Sequence, residues 1–137
     1  SDLKKPIQRR GKQMFEIKTQ SRIPIFEQLK GQILEYITAG ILHEDEQLPS
    51  VRALASQLGI NPNTVAKAYH KLEEKQIIYK IPGKGCYITT KHIDVLIREE
   101  KLTQFDSCVK ELKRCHVDQE ELTRRVERIY GEEEPYA

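Results

Sequence analysis

Residues 61–72 set amides, a hydroxyl, two amines and an imidazole along one side of a helical repeat, with no acid before Glu73. Val65, Ala68, Tyr69 and Leu72 form the apolar stripe, and Asn63, Thr64, Lys67, His70 and Lys71 lie opposite it. Asparagine and threonine near a helix start reach base edges or phosphates, and lysines meet phosphates and sometimes guanine. The unpaired amide N–H groups of the first turn add a further attraction for an anion. A merely solvated helix face normally mixes its charges, and this one does not. A second group of the same chemistry follows. Pro82-Gly83-Lys84-Gly85 sets one cation at the tip of a glycine-rich turn, a shape that suits the narrow, strongly negative minor groove of A·T-rich DNA. Taken alone, those four residues read equally as a tight hairpin with a solubilising lysine.

Three helices and a hairpin must position these groups. Phe26, Leu29, Ile33 and Ile37 recur at helical spacing after Pro24, which suits a first turn, and Gly40 stops the pattern. A short acidic connection over 41–47 leads to Ser50, an N-cap for a second helix with Val51, Leu54, Ala55 and Leu58 on one face. Gly59 ends it, Ile60 is expected to be buried in the turn, and Asn61 or Pro62 opens the third helix, which runs to about Lys75. Two helices joined by so short a turn containing glycine predict a helix-turn-helix. Residues 77–81 and 86–89 are rich in β-branched and aromatic types and predict the two strands of a hairpin. After Lys91 the pattern is helical again. Val95, Leu102, Val109 and His116 fall seven apart, interleaved with Phe105 and Leu112, as a short heptad-like seam. Asp118 and Glu121 have capping-box spacing for a last helix carrying Leu122, Val126 and Ile129, ended by Gly131 and Pro135.

The expected fold is therefore mostly α with a small β-hairpin: an N-terminal winged helix-turn-helix over 14–90, then two C-terminal helices in a dimerisation region over 91–137. Residues 1–13 are basic and polar. They read either as a flexible arm that tracks DNA or, since Met14 is the only methionine, as an expression remnant.

Composition narrows the function. A net charge of +2 conceals an asymmetry: residues 1–90 carry 14 Lys and Arg against 9 Asp and Glu, while residues 91–137 carry 9 against 12. The front of the chain suits an anionic partner and the back does not. No apolar run approaches the roughly 20 residues of a membrane span, and no signal-peptide pattern opens the chain, so a cytoplasmic protein with no membrane partner is expected. Cys86, Cys108 and Cys115 are odd in number and lack C-x-x-C spacing, which fits reduced thiols. Cys108, Cys115 and His116 on one helical strip make a poor zinc site, and no metal or other cofactor is expected. His43, His70, His92 and His116 are scattered, Ser50 has no glycine-elbow context, and the glycine-rich piece is too short for a P-loop. Glu44, Asp45 and Glu46 read as a solvated acidic loop. No catalytic residue is expected, and the protein is not an enzyme.

Three ordered motifs carry a resemblance. Gly40-Ile41-Leu42, Gln47-Leu48-Pro49-Ser50-Val51-Arg52 and Leu54-Ala55 resemble the opening signature of the GntR family of bacterial transcription regulators. Gly59-Ile60-Asn61-Pro62-Asn63-Thr64-Val65, with Ala68-Tyr69 and Leu72-Glu73, resembles its recognition helix, and Pro82-Gly83-Lys84-Gly85-Cys86-Tyr87-Ile88 its wing. The resemblance covers about residues 24–90. It implies that Arg52 contacts DNA near the backbone or a base, that Asn61, Asn63 and Thr64 meet DNA at the recognition helix, and that Gly83, Lys84 and Gly85 meet the minor groove. With Ser50, Lys67 and Lys71 these residues make the expected DNA-binding set. Asp45 stands where many members have glycine, and aspartate tolerates the left-handed backbone. Gln76 replaces a common glycine after the third helix. Ala66 occupies a position that is often arginine, so the family's operator sequence does not transfer.

Residues 91–137 suffice for two helices but not for the large effector-binding domain most members carry. The arrangement resembles the short YtrA-type subgroup, which implies C-terminal helices that dimerise and, often, control of neighbouring transporter genes. The expected interface is Val95, Leu102, Phe105, Val109, Leu112, Leu122, Val126 and Ile129, with packing onto the chain's own DNA-binding domain as the other reading of that seam. The function expected is a sequence-specific repressor, a homodimer on an inverted repeat in double-stranded DNA; whether a small-molecule effector acts is left open. The rivals are a winged-helix protein-interaction module and a truncated piece of a larger regulator.

Overall fold

The computed structural model describes residues 14–135; the basic arm over 1–13 lies outside them. The described elements are α1 (Ile25–Thr38), α2 (Val51–Leu58), α3 (Pro62–Glu74), β1 (Ile78–Ile81), β2 (Gly85–Ile88), α4 (Ile93–Arg114) and α5 (Gln119–Gly131). Pro24 is the N-cap of α1 rather than a residue of its first turn. Each strand starts one residue later or earlier than its expected span, and Ile60 is half-buried rather than buried.

Four helices share one way of stopping. After α1, Gly40 takes φ +76°, its N–H donates to the Ile37 carbonyl, and the Ile41 N–H returns to Tyr36. Gly59 does the same after α2, with the Ile60 N–H on the Ala55 carbonyl. This Schellman closure satisfies carbonyls that a helix end otherwise leaves unpaired. After α3 and α4 the left-handed residue is not glycine. Gln76 (φ +62°) bonds Glu73 while Ile77 bonds Leu72, and His116 (φ +64°) bonds Lys113 while Val117 bonds Leu112. A side chain in that conformation costs roughly 1–2 kcal/mol; at Gln76 the burial of Ile77 immediately after it offsets the cost. His116 is therefore a turn residue, and the heptad seam ends before it. A second expectation also fails. Asp118 stands at the N-cap of α5 without a side-chain cap bond, and Glu121 reaches forward to Arg125 at 3.4 Å, so no capping box forms.

The core explains why the helix-turn-helix holds its angle. Leu29, Ile33 and Leu34 of α1, Leu54 and Ala55 of α2, and Val65, Ala68, Tyr69 and Leu72 of α3 are buried together with Leu42, Leu48, Ile77, Ile78 and Ile88. Each large side chain so buried contributes about 1.5–3 kcal/mol. Met14 and Phe15 are buried with them, and the Phe15 ring stacks on Tyr36 at a centroid distance of 6.2 Å. Two glutamines of α1 fasten this segment as a strand partner would. Gln32 accepts from the Glu16 N–H and donates to the Glu16 carbonyl, and Gln28 does the same for Lys18.

β1 and β2 pair antiparallel with Ile78 opposite Ile88 and Ile81 opposite Gly85. The loop before α2 lies along the other edge of β2. The Asp45 N–H donates to the Ile88 carbonyl, the Ile88 N–H to Glu46, the Leu48 N–H to Cys86, and Gln47 bridges Tyr87. The acidic residues here are not simply solvated. Glu44 accepts from the Thr90 N–H and hydroxyl at 3.0 and 3.1 Å, Asp45 (φ +68°) accepts from the Tyr79 hydroxyl at 2.6 Å, and Glu46 accepts from the His43 N–H at 3.0 Å.

The chain divides into two compact units between Ile97 and Arg98. Leu96 packs on the core of the first. In the second, none of the described residues of α4 or α5 is buried.

Candidate nucleic-acid interface

Each expected contact begins with a helix start whose own chemistry is settled locally. At α2 the Ser50 Oγ accepts from the Ala53 N–H at 3.0 Å, which leaves its proton free to donate outward, and Arg52 is exposed in the first turn. At α3 the Asn61 Oδ1 caps the Asn63 N–H at 2.8 Å, so what Asn61 can offer a ligand is its Nδ2 donors. Pro62, first in the helix, lacks an N–H where none would be paired. Asn63 and Thr64 are exposed beside it. Lys67 and Lys71 follow Asn63 at intervals of four, hence on the same face, and Ala66, just before Lys67, is exposed as well. The Lys71 ammonium lies 5.6 Å from the centroid of the Phe26 ring, and Lys30 lies 5.5 Å from it, so Lys71 is partly engaged with α1.

The wing tip is a tight turn. The Lys84 N–H donates to the Ile81 carbonyl at 2.9 Å across Pro82 and Gly83, and Gly83 takes φ +78°, the arrangement of a type II turn. Gly85 takes φ +129°, and a Cβ there would lie 2.9 Å from Gln47 Nε2. Gln47 Nε2 donates to the Lys84 carbonyl at 2.9 Å. Behind the tip the Tyr79 and Tyr87 rings stack at 5.6 Å, and donation to the Asp45 carboxylate pushes the Tyr79 phenol up to about 12.

Among the described residues Arg52, Lys67 and Lys84 make no ion pair. Their cationic heads are therefore open to an external anion. The predicted DNA-binding residues fall at three places: the start of α2, the start and outer face of α3, and the wing tip. The residues predicted for self-association belong to α4 and α5, where Val95, Leu102, Phe105, Val126 and Ile129 are exposed and Val109, Leu112 and Leu122 half-buried. Gln47 was given no role by the sequence beyond its place in a motif, because its partner is 37 residues away. Among the described residues no three His, Cys, Asp or Glu side chains group as metal ligands, and no helix is long and apolar enough to cross a membrane.

The family profile described as bacterial regulatory proteins, gntR family, matches residues 25–88. The HTH-type transcriptional repressor YtrA of Bacillus subtilis is 40% identical over 99 residues, 72% of this chain and 75% of that protein. Among solved structures, a GntR family transcriptional regulator from Listeria monocytogenes superposes with a TM-score of 0.60 at 29% identity, covering 82% of this chain and 98% of that one. YtrA from Sulfolobus acidocaldarius, a GntR-family transcription factor, superposes with a TM-score of 0.52 at 31% identity, covering 69% and 99%. The matched region contains the helix-turn-helix and the wing, and these relatives are regulators and not enzymes. The chain belongs to the gntR family of bacterial regulatory proteins, on its YtrA-type branch, as a non-enzymatic transcription regulator with a winged helix-turn-helix.

Proposed function

We propose that this protein is a sequence-specific repressor that acts in the cytoplasm as a homodimer on an inverted-repeat operator, with transporter genes among its targets. The observation that carries the DNA-binding reading is the acid-free, exposed start of α3, flanked by Arg52, Lys67 and Lys84, which have no ion-pair partner among the described residues. Ser50, Arg52, Asn61, Asn63, Thr64, Lys67, Lys71 and the Gly83–Lys84–Gly85 tip form its DNA-binding set. Lysine and arginine neutralise phosphates, while Asn63 and Thr64 are short enough to report on base edges. The homodimer is supported by the apolar residues left in water on α4 and α5. Repression and transporter targets follow the branch the chain resembles, whose Bacillus subtilis relative is named a repressor.

Selection of genomic fragments by the purified protein, followed by titration against salt, tests the reading. A recurrent inverted repeat is expected, with log affinity falling by about 0.9 per phosphate contact for each unit of log salt. Equal affinity for every fragment and for random duplex at physiological salt would overturn it.

A further inference from the structure

We propose that Gln47 is the positioning residue of the wing, fixing Lys84 relative to the start of the helix-turn-helix; the inference rests on the DNA-binding reading of that wing. A hairpin tip of one lysine between two glycines has little of its own to hold it, since glycine leaves the backbone conformationally free. Here both polar groups of the Lys84 backbone are engaged. Its N–H donates to Ile81 at 2.9 Å within the turn, and its carbonyl accepts from Gln47 Nε2 at 2.9 Å from outside the hairpin. The second bond ties the tip to another part of the fold.

Gln47 is itself well anchored. Its backbone bridges Tyr87, and on either side of it Glu46 accepts from the Ile88 N–H at 2.8 Å while the Leu48 N–H donates to Cys86 at 2.9 Å. Three residues later Ser50 caps α2. The amide of Gln47 thus spans from a paired strand edge to the wing tip, and a shift of that edge carries the lysine with it. Gly85 completes the fit. A Cβ at 85 would push the Gln47 amide aside, so glycine leaves the amide room to reach the Lys84 carbonyl, and the φ of +129° itself favours glycine. A cation that must enter a groove about 6 Å wide gains from being held in place before it arrives. Gln47 therefore acts through Lys84 and need not touch DNA.

Because Gln47 is exposed, Gln47→Leu and Gln47→Glu should leave the fold intact, which thermal unfolding checks. The first removes the donor, and the second turns a carboxylate on the Lys84 carbonyl. Two arms use the full chain. In the free protein, 15N relaxation should show the Lys84 and Gly85 amides falling from rigid values of about 0.85 toward 0.6 in both variants, with α3 unchanged. In the second arm the probe is a duplex selected by wild-type protein from a randomised library, its wing flank set to A·T or to G·C. The wild-type preference for the A·T flank should shrink by about two- to tenfold, the worth of one net hydrogen bond, while discrimination of the recognition-helix bases persists. A rigid tip and an unaltered flank preference in both variants would overturn the proposal. So would lost flank preference with an unaltered tip, which would mean that Gln47 contacts DNA itself. Wild-type protein that selects no duplex would instead defeat the DNA-binding reading, and the relaxation arm would still decide the clamp.

Discussion

The Tyr69 hydroxyl donates to the Pro49 carbonyl at 2.7 Å, joining the middle of the recognition helix to the residue just before the Ser50 cap of α2. Tyr69 is buried, so this bond satisfies two groups that water does not reach freely, and it sets the spacing of the two helices along with the core. Burial pushes its phenol well above the ordinary tyrosine range, with the neighbouring Cys86 adding to the shift.

Tyr69→Phe should lower unfolding free energy at neutral pH by about 1 kcal/mol, because the Pro49 carbonyl loses its partner. The effect of pH has a definite sign. A phenol whose folded pKa is raised contributes stability in full below its unfolded value of about 10, and that contribution is lost as pH climbs above it. Urea unfolding from pH 8 to 11 should therefore show a fall in stability above pH 10 that is shallower in Tyr69→Phe. Tyr36, Tyr79 and Cys86 shift in the same direction and keep some of the fall. A variant with the same alkaline slope as wild type would count against the bond.

Gln76 closes α3 at φ +62° where glycine would be unstrained. Gln76→Gly should gain about 0.5–1 kcal/mol, the relieved strain of roughly 1–2 kcal/mol less the extra backbone entropy of glycine. Gln76→Val, β-branched in the same conformation, should lose stability. Denaturation midpoints that move the other way for the pair would show that the closure carries no strain.

What could be read from the sequence were the features that one residue and its near neighbours decide. Apolar spacing located α1, α2 and α3 because burying one stripe settles a helix's face, and Ser50 announced itself as a cap by type and position. What could not be read depends on distant partners. Nothing near Phe15 points to Tyr36, nothing near Glu44 points to Thr90, and Gln47 gains its meaning only from the wing. Local competition hid the rest. Glu121 has capping-box spacing from Asp118 but also lies four residues before Arg125, and the pair forms. His116 fits a heptad position, yet the closure of α4 takes it. In the interface the residue types were legible, but Lys71 packing over Phe26 and the Asn61 Oδ1 being used as a cap were not.

Asn63, Thr64 and Lys67 should separate on DNA. Lys67→Ala should weaken binding about equally on selected and random duplexes and reduce the salt slope by about one per protomer. Asn63→Ala and Thr64→Ala should each cost about 1–3 kcal/mol on the selected duplex and much less on random sequence. The fold should be unaffected, since all three side chains are exposed. Losses for Asn63 and Thr64 that are equal on both duplexes would make them phosphate contacts, and unchanged binding would place the reading face elsewhere.

The proposed homodimer makes the last prediction. Leu102 and Phe105 of α4 and Ile129 of α5 are 48%, 53% and 57% exposed, and among the described residues neither helix buries any side chain. An amphipathic helix stays folded in water chiefly by burying its apolar face, and among the described residues of the second unit this face is at most half-covered. A two-fold partner would cover it, with Leu102, Phe105, Val109 and Leu112 forming a seam that begins at Val95, and Leu122, Val126 and Ile129 beside it. Such a dimer presents two copies of α3 to successive major grooves, so operator half-sites should be spaced by about 34–36 Å or a multiple. Joining the half-sites should raise affinity by about 10²–10⁴ over one alone. Phe105→Asp and Val109→Asp should then sediment as folded monomers whose affinity for the full operator falls by that factor to the level of a single half-site. Wild-type protein that is monomeric at micromolar concentration, with full operator affinity, would refute the dimer. A dimer that survives both substitutions but is broken by Val126→Asp would move the interface from α4 to the apolar face of α5.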